Sequence, residues 1–252
     1  MKVTIITVCY NSVNTILDTI NSVIRQSYPN IEYLVIDGCS TDGTLELLNE
    51  NYQFIDKIVS EKDTGIYSAM NKGINLSSGD IIGFLNSDDF YVNNKVIEKI
   101  VKKFLEDSSL DVCYSDLVYV ERQKTSKIVR YWKSSNFFSG NFSKGWCPPH
   151  PTFFAKKYAY QSKGIYNLNY GFAADVELMM RFLEVYKLKW SYIPEILVKM
   201  RLGGVTNNNL KNIFKHNLNI ISALSDHGLK LNKYYFYYNK ILMRLKQYIQ
   251  RP

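Results

Sequence analysis

The run Ile81-Ile82-Gly83-Phe84-Leu85-Asn86-Ser87-Asp88-Asp89 begins as an apolar strand and stops at two adjacent carboxylates. A buried strand that ends in acid sets negative charge at the lip of a sheet, and in open α/β sheets ligands bind at that lip. Carboxylates there repel each other and any anionic ligand unless a cation lies between them. Hard oxygen ligands suit Mg2+ or Mn2+, and Mg2+ is commonly held by one or two carboxylates together with substrate phosphates. Asp88 and Asp89 are therefore candidate metal ligands at a diphosphate site. The same residues read equally as an Asp-rich turn in which Asp88 caps the next helix.

Other polar residues stand in the same relation to predicted strands. Tyr10-Asn11 follow the strand Val3–Val8, Asp37 ends Tyr33–Ile36, and Asp63 follows Lys57–Val59. Asp37 can accept an imide N–H such as that of uracil, Tyr10 can stack on a base, and Asp63 can hold a ribose hydroxyl or a base edge. Each also has a structural reading. Asp37 precedes Gly-Cys-Ser-Thr-Asp-Gly-Thr, which makes an Asx-type turn in any case, and Tyr10 can be a packed ring. Four strand ends converging on one cleft say more than any one of them.

The elements that must position these residues alternate in type over the first 107 residues. Helices are predicted at Thr15–Gln26, Thr44–Asn51, Tyr67–Leu76 and Lys95–Leu105, between strands that end with Ile81–Leu85. Such alternation implies a parallel sheet covered on both faces. After residue 108 the rhythm changes. Val112–Val120 and Ile128–Trp132 suggest an antiparallel pair, and Thr152–Ala155, Trp190–Ile193 and Ile196–Met200 further strands. Helices are expected at Val176–Tyr186, Leu210–Leu224 and Lys233–Ile249.

Of 252 residues, 46% are hydrophobic, enough for an ordinary globular core. The four cysteines form no C-x-x-C pair, so they give neither a zinc signature nor a disulfide framework; free thiols in a reducing cytoplasm are expected. The first residues do not read as a signal peptide, and no run of 18 apolar residues predicts a membrane span. The net charge of +8 is divided unevenly: residues 1–107 carry a net of −6 and residues 108–252, with 22 Lys/Arg against 8 Asp/Glu, a net of +14. An acidic half that can hold a cation thus adjoins a basic half that can face an anionic partner. The 20 tyrosines suit platforms for sugars or bases, but no recognisable nucleic-acid module accompanies them, and no nucleic-acid partner is expected.

Four ordered segments carry a resemblance. Thr7-Val8-Cys9-Tyr10-Asn11, then Val35-Ile36-Asp37-Gly38-Cys39-Ser40-Thr41-Asp42-Gly43-Thr44, then Asp63-Thr64-Gly65-Ile66-Tyr67-Ser68-Ala69-Met70-Asn71-Lys72-Gly73-Ile74, then Gly79 to Asp89 resemble the family 2 glycosyltransferases of the GT-A fold. The likeness extends more weakly to about residue 205. It implies a Rossmann-like, mostly parallel sheet with helices on both faces, a mixed second half and a C-terminal helical extension. The expected organisation is a glycosyltransferase domain over 1–205, with a nucleotide-binding half (1–107) and an acceptor-binding half (108–205), followed by the extension 206–252.

The resemblance further implies inverting transfer from a UDP-sugar with Mn2+ or Mg2+ on the diphosphate. Thr7, Tyr10, Asn11, Asp37, Asp63 and Asn86 then fall in the nucleotide site. Asn86-Ser87-Asp88 occupies the D-x-D position, which makes Asp88 the first metal ligand; Asn86 replaces the first acid, a charge Asp89 can restore. Ser68 stands where relatives carry an acid, which leaves that position open. Inversion needs a base to take the acceptor's hydroxyl proton. Gly171-Phe172-Ala173-Ala174-Asp175 resembles the family's Glu-Asp motif with Ala174 for Glu, and places the base on Asp175, where a helix cap is the plain alternative. Glu177 is the rival, set about 200° around the helix. His150 and Trp146, in a proline-rich loop, are candidates for the acceptor or diphosphate, and Arg201, before Gly203-Gly204, for a loop that closes over the diphosphate.

These residues predict a bacterial-type surface-polysaccharide enzyme, for O-antigen or capsule, acting on a lipid-diphosphate-linked glycan. A catalytically impaired sugar-nucleotide binder and a sugar-phosphate nucleotidyltransferase are the alternatives; the second would want a Gly-rich basic loop where Cys9-Tyr10-Asn11-Ser12-Val13 stands. Residues 230–252 carry six Lys/Arg and no acid, and Lys233–Ile249 is apolar at helical spacing. Such a helix can lie on an anionic membrane surface, giving a cytoplasmic protein peripheral on the membrane's inner face, or dock on the domain.

Overall fold

The computed structural model describes residues 1–203 and 210–251. Its first half is built as the apolar spacing predicts. β1 (Val3–Cys9), β2 (Ile31–Asp37) and β3 (Lys57–Ser60) are parallel, and β4 (Ile81–Phe84) joins β1 on its other side. Side chains alternate along these strands. Ile6, Val8, Leu34, Ile36, Ile82 and Phe84 face one core with α3 (Ile66–Leu76). Val3, Ile5, Tyr33, Val35 and Ile81 face a second core with α1 (Ile16–Ile24) and α2 (Thr44–Glu50). Burial on both faces requires runs of Val and Ile rather than a polar–apolar alternation.

The two-residue strand β5 (Phe90–Tyr91), which carries no periodic signal, precedes α4 (Val96–Glu106), which joins the second core. β6 (Val112–Val120), β7 (Ile128–Trp132) and β8 (Phe154–Lys156) follow. β8 crosses between the halves, antiparallel to both β4 and β6. Gly83 makes that crossing possible, because a Cβ there would lie 2.1 Å from the Phe154 ring. With β9 (Trp190–Arg201) the order across the sheet is β3-β2-β1-β4-β8-β6-β9-β5, with β7 paired to β6.

α5 (Lys157–Lys163), unpredicted, follows β8. α6 (Ala174–Met180) runs into a π-helical turn at Arg181–Val185 instead of continuing as one α-helix. The two strands expected near residue 195 are one, β9 (Trp190–Arg201), parallel to β6. Its pairing with β6 skips from Ile193 to Ile196, so Pro194 and Glu195 form a bulge. Proline has no N–H for a ladder, which confines it to such sites within a sheet.

α7 (Leu210–Asp226) and α8 (Lys233–Ile249) close the chain. The expected boundary at 205/206 lies outside the described residues. Ile220, Ala223, Leu224 and Phe236 share the core of α3 and α6, so both helices pack on the sheet's first-core side. Asn232 caps α8 by accepting the Tyr235 N–H. Phe236 is fully buried, whereas Tyr234, Tyr238, Ile241, Leu245 and Ile249 are exposed. Truncating a buried Phe costs about 3–5 kcal/mol. Phe236→Ala is expected to lower stability by about 3 kcal/mol in urea denaturation; a loss below about 1 kcal/mol would show that α8 is not anchored.

Candidate active site

The parallel register sets Cys9, Asp37 and Ser60 side by side at the ends of β1, β2 and β3. Beyond β1 the chain turns at Asn11, which adopts a left-handed conformation (φ 49°) that asparagine tolerates. Its N–H donates to Ser40 Oγ (2.8 Å), and its Oδ1 accepts the Thr41 N–H (2.9 Å). Tyr10, 64% exposed, projects beside it. Asp63 accepts the Gly65 N–H at 2.8 Å. Tyr10, Asn11 and Asp63 line one end of a cavity of about 1190 Å³ that runs across the strand ends.

Two of the expected nucleotide residues lie beneath that surface. Thr7 is fully buried and accepts the Tyr33 hydroxyl at 3.1 Å, turned away from the cavity by the strand's alternation. Asp37 is also fully buried. Its oxygens accept the Ser40 N–H (3.0 Å), Ser40 Oγ (2.5 Å) and Ser60 Oγ (2.6 Å), the Asx-type turn that its sequence neighbours allow. It braces the floor of the cavity.

The two adjacent acids separate. Asp88 lines the cavity, while Asp89 is fully buried below it and takes no place on the wall. The Thr19 hydroxyl donates to the Asp89 carbonyl (2.7 Å), and Asn86 Nδ2 donates to its carboxylate (3.2 Å). Burial, and then the charge of Asp88, push the Asp89 carboxyl well above the usual carboxylate range. Of the two expected metal ligands, Asp88 faces the cavity and Asp89 lies beneath its wall.

Arg201 is likewise not on a closing loop. It ends β9, is 3% exposed, donates to the Asp88 carbonyl (2.9 Å) and the Arg122 carbonyl (3.2 Å), and pairs with Asp18. It fixes the backbone under Asp88, and Gly204 lies outside the described residues. Arg122, just past β6, lines the cavity in its place; burial raises the Asp88 carboxyl above its ordinary value, and Arg122 works against that rise.

The opposite wall carries Asp175, in the first turn of α6. It does not stand at the N-cap position, which Ala173 fills; its Oδ1 accepts the neighbouring Val176 N–H (2.8 Å), and the Tyr67 hydroxyl bonds to its carboxylate. Its Oδ2 lies 3.3 Å from His150 Nδ1, and His150 Nε2 lies 3.4 Å from Asn86 Nδ2. A neutral imidazole with its proton on Nδ1 satisfies both contacts, an assignment from the hydrogen-bond network. Burial pulls the His150 imidazole below its ordinary value, opposed by Asp175 and Asp88, which favours that neutral form. His150 thus links the Asp88 end to the Asp175 end. Tyr67 stands beside Asp175, whose charge adds to burial in keeping the phenol protonated. Trp146 lines the same wall, held edge-on to Phe142 at 5.6 Å.

Glu177 cannot share this role. It is 1% exposed on the far side of α6, bonded to Arg181 Nε (2.8 Å) and His227 Nε2 (2.8 Å). Arg181 in turn donates to the carbonyls of Lys163, Gly164 and Ile165.

Residues 4–164 match glycosyl transferase family 2. The chain belongs to this family. Over 110 residues it is 37% identical to a putative teichuronic acid biosynthesis glycosyltransferase, TuaG, of Bacillus subtilis, covering 42% of this chain and 43% of that relative. It is 25% identical over 224 residues to a PGL/p-HBAD biosynthesis glycosyltransferase of Mycobacterium tuberculosis, covering 84% of this chain and 80% of the relative. The chain thus spans less than half of the Bacillus protein and most of the mycobacterial one. Its fold matches Staphylococcus aureus TarS 1–349 (TM-score 0.68, 16% identity, 96% of this chain and 69% of the other). It also matches a Pyrobaculum calidifontis mannosyltransferase solved with GDP-Man and Mn2+ (TM-score 0.67, 16% identity, again 96% and 69%). The GT-A fold expected from the motifs is therefore the fold of this glycosyltransferase.

Several wall residues carry no sequence motif. His216 and Asn217 of α7, and Lys240 and Arg244 of α8, line the cavity. Only the position of Arg122 after a strand could have pointed to it. As a metal site, the described residues hold no cluster of three His, Cys, Asp or Glu. Asp88, two residues from Asn86, lines the cavity, and Asn86 Oδ1 is buried without a partner. That sparse oxygen set fits a divalent ion whose remaining ligands are diphosphate and water.

His216 gives the site a pH dependence. Its Nε2 is buried without a partner, and burial pushes the imidazole down to about 4, against the pull of Asp175. Unfolded histidine titrates near 6.5. The neutral ring's contribution is therefore complete above about pH 6.5 and is lost as pH falls towards 4. Urea unfolding from pH 7.5 to 4.5 should show a shallower fall in stability for His216→Asn than for the wild type; parallel curves would rule the linkage out.

Proposed function

We propose that this glycosyltransferase moves a sugar, with inversion, from a UDP-sugar to a hydroxyl of a lipid-diphosphate-linked glycan during surface-polysaccharide (O-antigen or capsule) synthesis. The observation that carries the reading is one cavity lined by Asp88 and Asp175, with His150 between Asp175 and Asn86, bonded to each. Tyr10, Asn11 and Asp63 receive the nucleoside, and Asp37 braces them from beneath. Asp88 would hold Mn2+ or Mg2+, with Asn86 Oδ1 as a second oxygen, and when bound such an ion would supply positive charge to the leaving diphosphate. The Arg122 guanidinium adds to the stabilisation of that charge.

Asp175 takes the acceptor's hydroxyl proton as that oxygen attacks the anomeric carbon. The bond from the anomeric carbon to the diphosphate oxygen breaks, and UDP leaves with the electron pair. His150 holds Asp175 in place through Nδ1, and Trp146 offers an apolar face to a sugar ring. Ala174, in place of the family's Glu, is wholly in the core, so its loss leaves the wall at Asp175 intact. This favours an active enzyme over a bare sugar-nucleotide binder. No helix among the described residues is long and apolar enough to cross a membrane. The exposed apolar stripe of α8, beside basic residues such as Lys233 and Arg251, supports a peripheral position on an anionic bilayer.

Two experiments test the assignment. Asp88→Ala should abolish UDP release from a UDP-sugar while circular dichroism stays native; wild-type turnover by that variant in EDTA would remove the metal role. Removing a positioned base costs ~10²–10⁴-fold in rate, so Asp175→Asn should lower kcat on that scale with UDP affinity unchanged. Glu177→Gln should instead act on stability, because it strips a buried partner from Arg181. If Asp175→Asn costs only a few-fold, the base lies elsewhere.

A further inference from the structure

The acceptor wall contains a buried charge without a counter-charge. Arg130 of β7 is 2% exposed and lines the cavity. Its guanidinium carbon lies over the Tyr119 ring, 3.6 Å from the centroid, and the group bonds to Tyr248 of α8. Its Nε is buried with no hydrogen-bond partner, and among the described residues it has no ion pair with a carboxylate. Burial and the nearby Arg244 both work against its charge. Lys240, one turn back on α8, also faces the cavity and is repelled by Arg244. Its ammonium bonds to the neutral Asn217 Oδ1 at 2.7 Å.

Folding has thus gathered three cations on one wall without placing a carboxylate against Arg130 or Lys240. Buried charge is costly unless paired, and like charges held together add to that cost. A bound anion would relieve both. The neighbouring surface is apolar: Phe142, Ile241 and Leu245 also line the cavity, and the last two continue into the exposed stripe of α8. The cluster reaches the base's side, since Lys240 and His216 both feel Asp175, while Tyr119, under Arg130, feels Asp89.

From this juxtaposition we infer that Arg130, Lys240 and Arg244 form an acceptor subsite for a phosphoryl group carried on an apolar tail, distinct from the donor's diphosphate site. The inference rests on the proposed lipid-diphosphate acceptor and names the residues that would grip it. Arginine presents a planar fork of donors to phosphate oxygens, and Tyr119 and Tyr248 hold that of Arg130 in position. The tail would leave along Ile241 and Leu245.

The test is a binding titration by tryptophan fluorescence, with Mn2+ present and UDP saturating so that the donor site is filled. Farnesyl diphosphate, farnesol and inorganic pyrophosphate are the probes. Farnesyl diphosphate should bind, farnesol should not, and pyrophosphate should bind at least 10-fold more weakly. A hydrogen bond to a charged group contributes about 1.5–3 kcal/mol, so Arg130→Gln and Arg244→Gln should each weaken farnesyl diphosphate about 10-fold or more. UDP affinity should stay within 2-fold. If Arg130→Gln does not fold, Arg130→Lys and Arg244→Gln, the latter at a solvent-accessible position of the cavity wall, carry the test. Unchanged binding in the folded variants overturns the subsite. A parallel loss of UDP affinity assigns the cluster to the donor and also overturns it, and equal binding of pyrophosphate overturns the lipid-borne source. The readout needs no turnover, so an enzyme inactive towards every UDP-sugar would fail the proposed function without deciding this result.

Discussion

The register of β1 against its two neighbours governs the geometry of the cleft. Pairing Cys9 with Asp37 and Ile6 with Phe84 brings three chain reversals to one edge of the sheet. From there Tyr10-Asn11, Ser40-Thr41 and Asn86 to Asp88 all emerge within reach of one another. The hydrogen bonds that lock this edge run between reversals: Asn11 to Ser40 and Thr41, Ser12 to Ser87 at 2.8 Å, and Ser12 N–H to Thr44 at 2.7 Å. A slip of one residue would turn every side chain to the opposite face. It would exchange Ile6 and Val8 for Ile5 and Thr7 in the core that holds α3 and α6, so the same apolar pattern that stabilises the sheet also fixes where the polar residues arrive.

A second constraint joins the halves. β8 lies antiparallel between β4 and β6, and the loop before it delivers His150. Thr152, buried immediately after, donates to the Ser115 carbonyl (2.9 Å) and accepts the Ser115 N–H (3.1 Å). The histidine is thereby anchored to β6 while its ring reaches Asn86 on one side and Asp175 on the other. Asp175 depends in turn on α6 being held from behind, by Glu177 bonding Arg181 and His227. Two acids two residues apart thus serve different ends, one anchoring the helix and the other presented by it. The 200° between them, set by the helical period, makes that division unavoidable.

How much of this could be read in the chain follows from what each signal measures. Apolar periodicity reports which face is buried, so the parallel strands and their helices, and the acids at their ends, were legible before any coordinates. Periodicity does not report which of two adjacent acids at a strand end turns outward. Asp88 and Asp89 differ because Asn86 and Thr19 tether the second from below. Nor does it separate a strand-end arginine from a loop arginine: Arg201 looked mobile beside glycines, yet the Asp88 carbonyl and Asp18 hold it. Thr7 and Asp37 were named with their motifs, but a motif does not distinguish a residue that touches a ligand from one that shapes the turn beneath it.

The C-terminal helices show the same limit at longer range. An amphipathic pattern in Lys233–Ile249 announces an apolar face and a basic face without saying what each one meets. The fold divides the helix differently. Phe236 enters the core, Lys240 and Arg244 turn into the cavity, and Tyr234, Tyr238, Ile241, Leu245 and Ile249 remain at the surface. Lys240 is packed closely enough against Gly145 that a Cβ there would lie 2.5 Å from its chain. Part of the charge that suggested a membrane surface is therefore spent inside the enzyme. Basic residues at the tail's ends remain outside, next to the apolar stripe. The helix thus turns cations inward and leaves apolar residues outward, so the net +14 of the second half does not lie wholly on the outer surface.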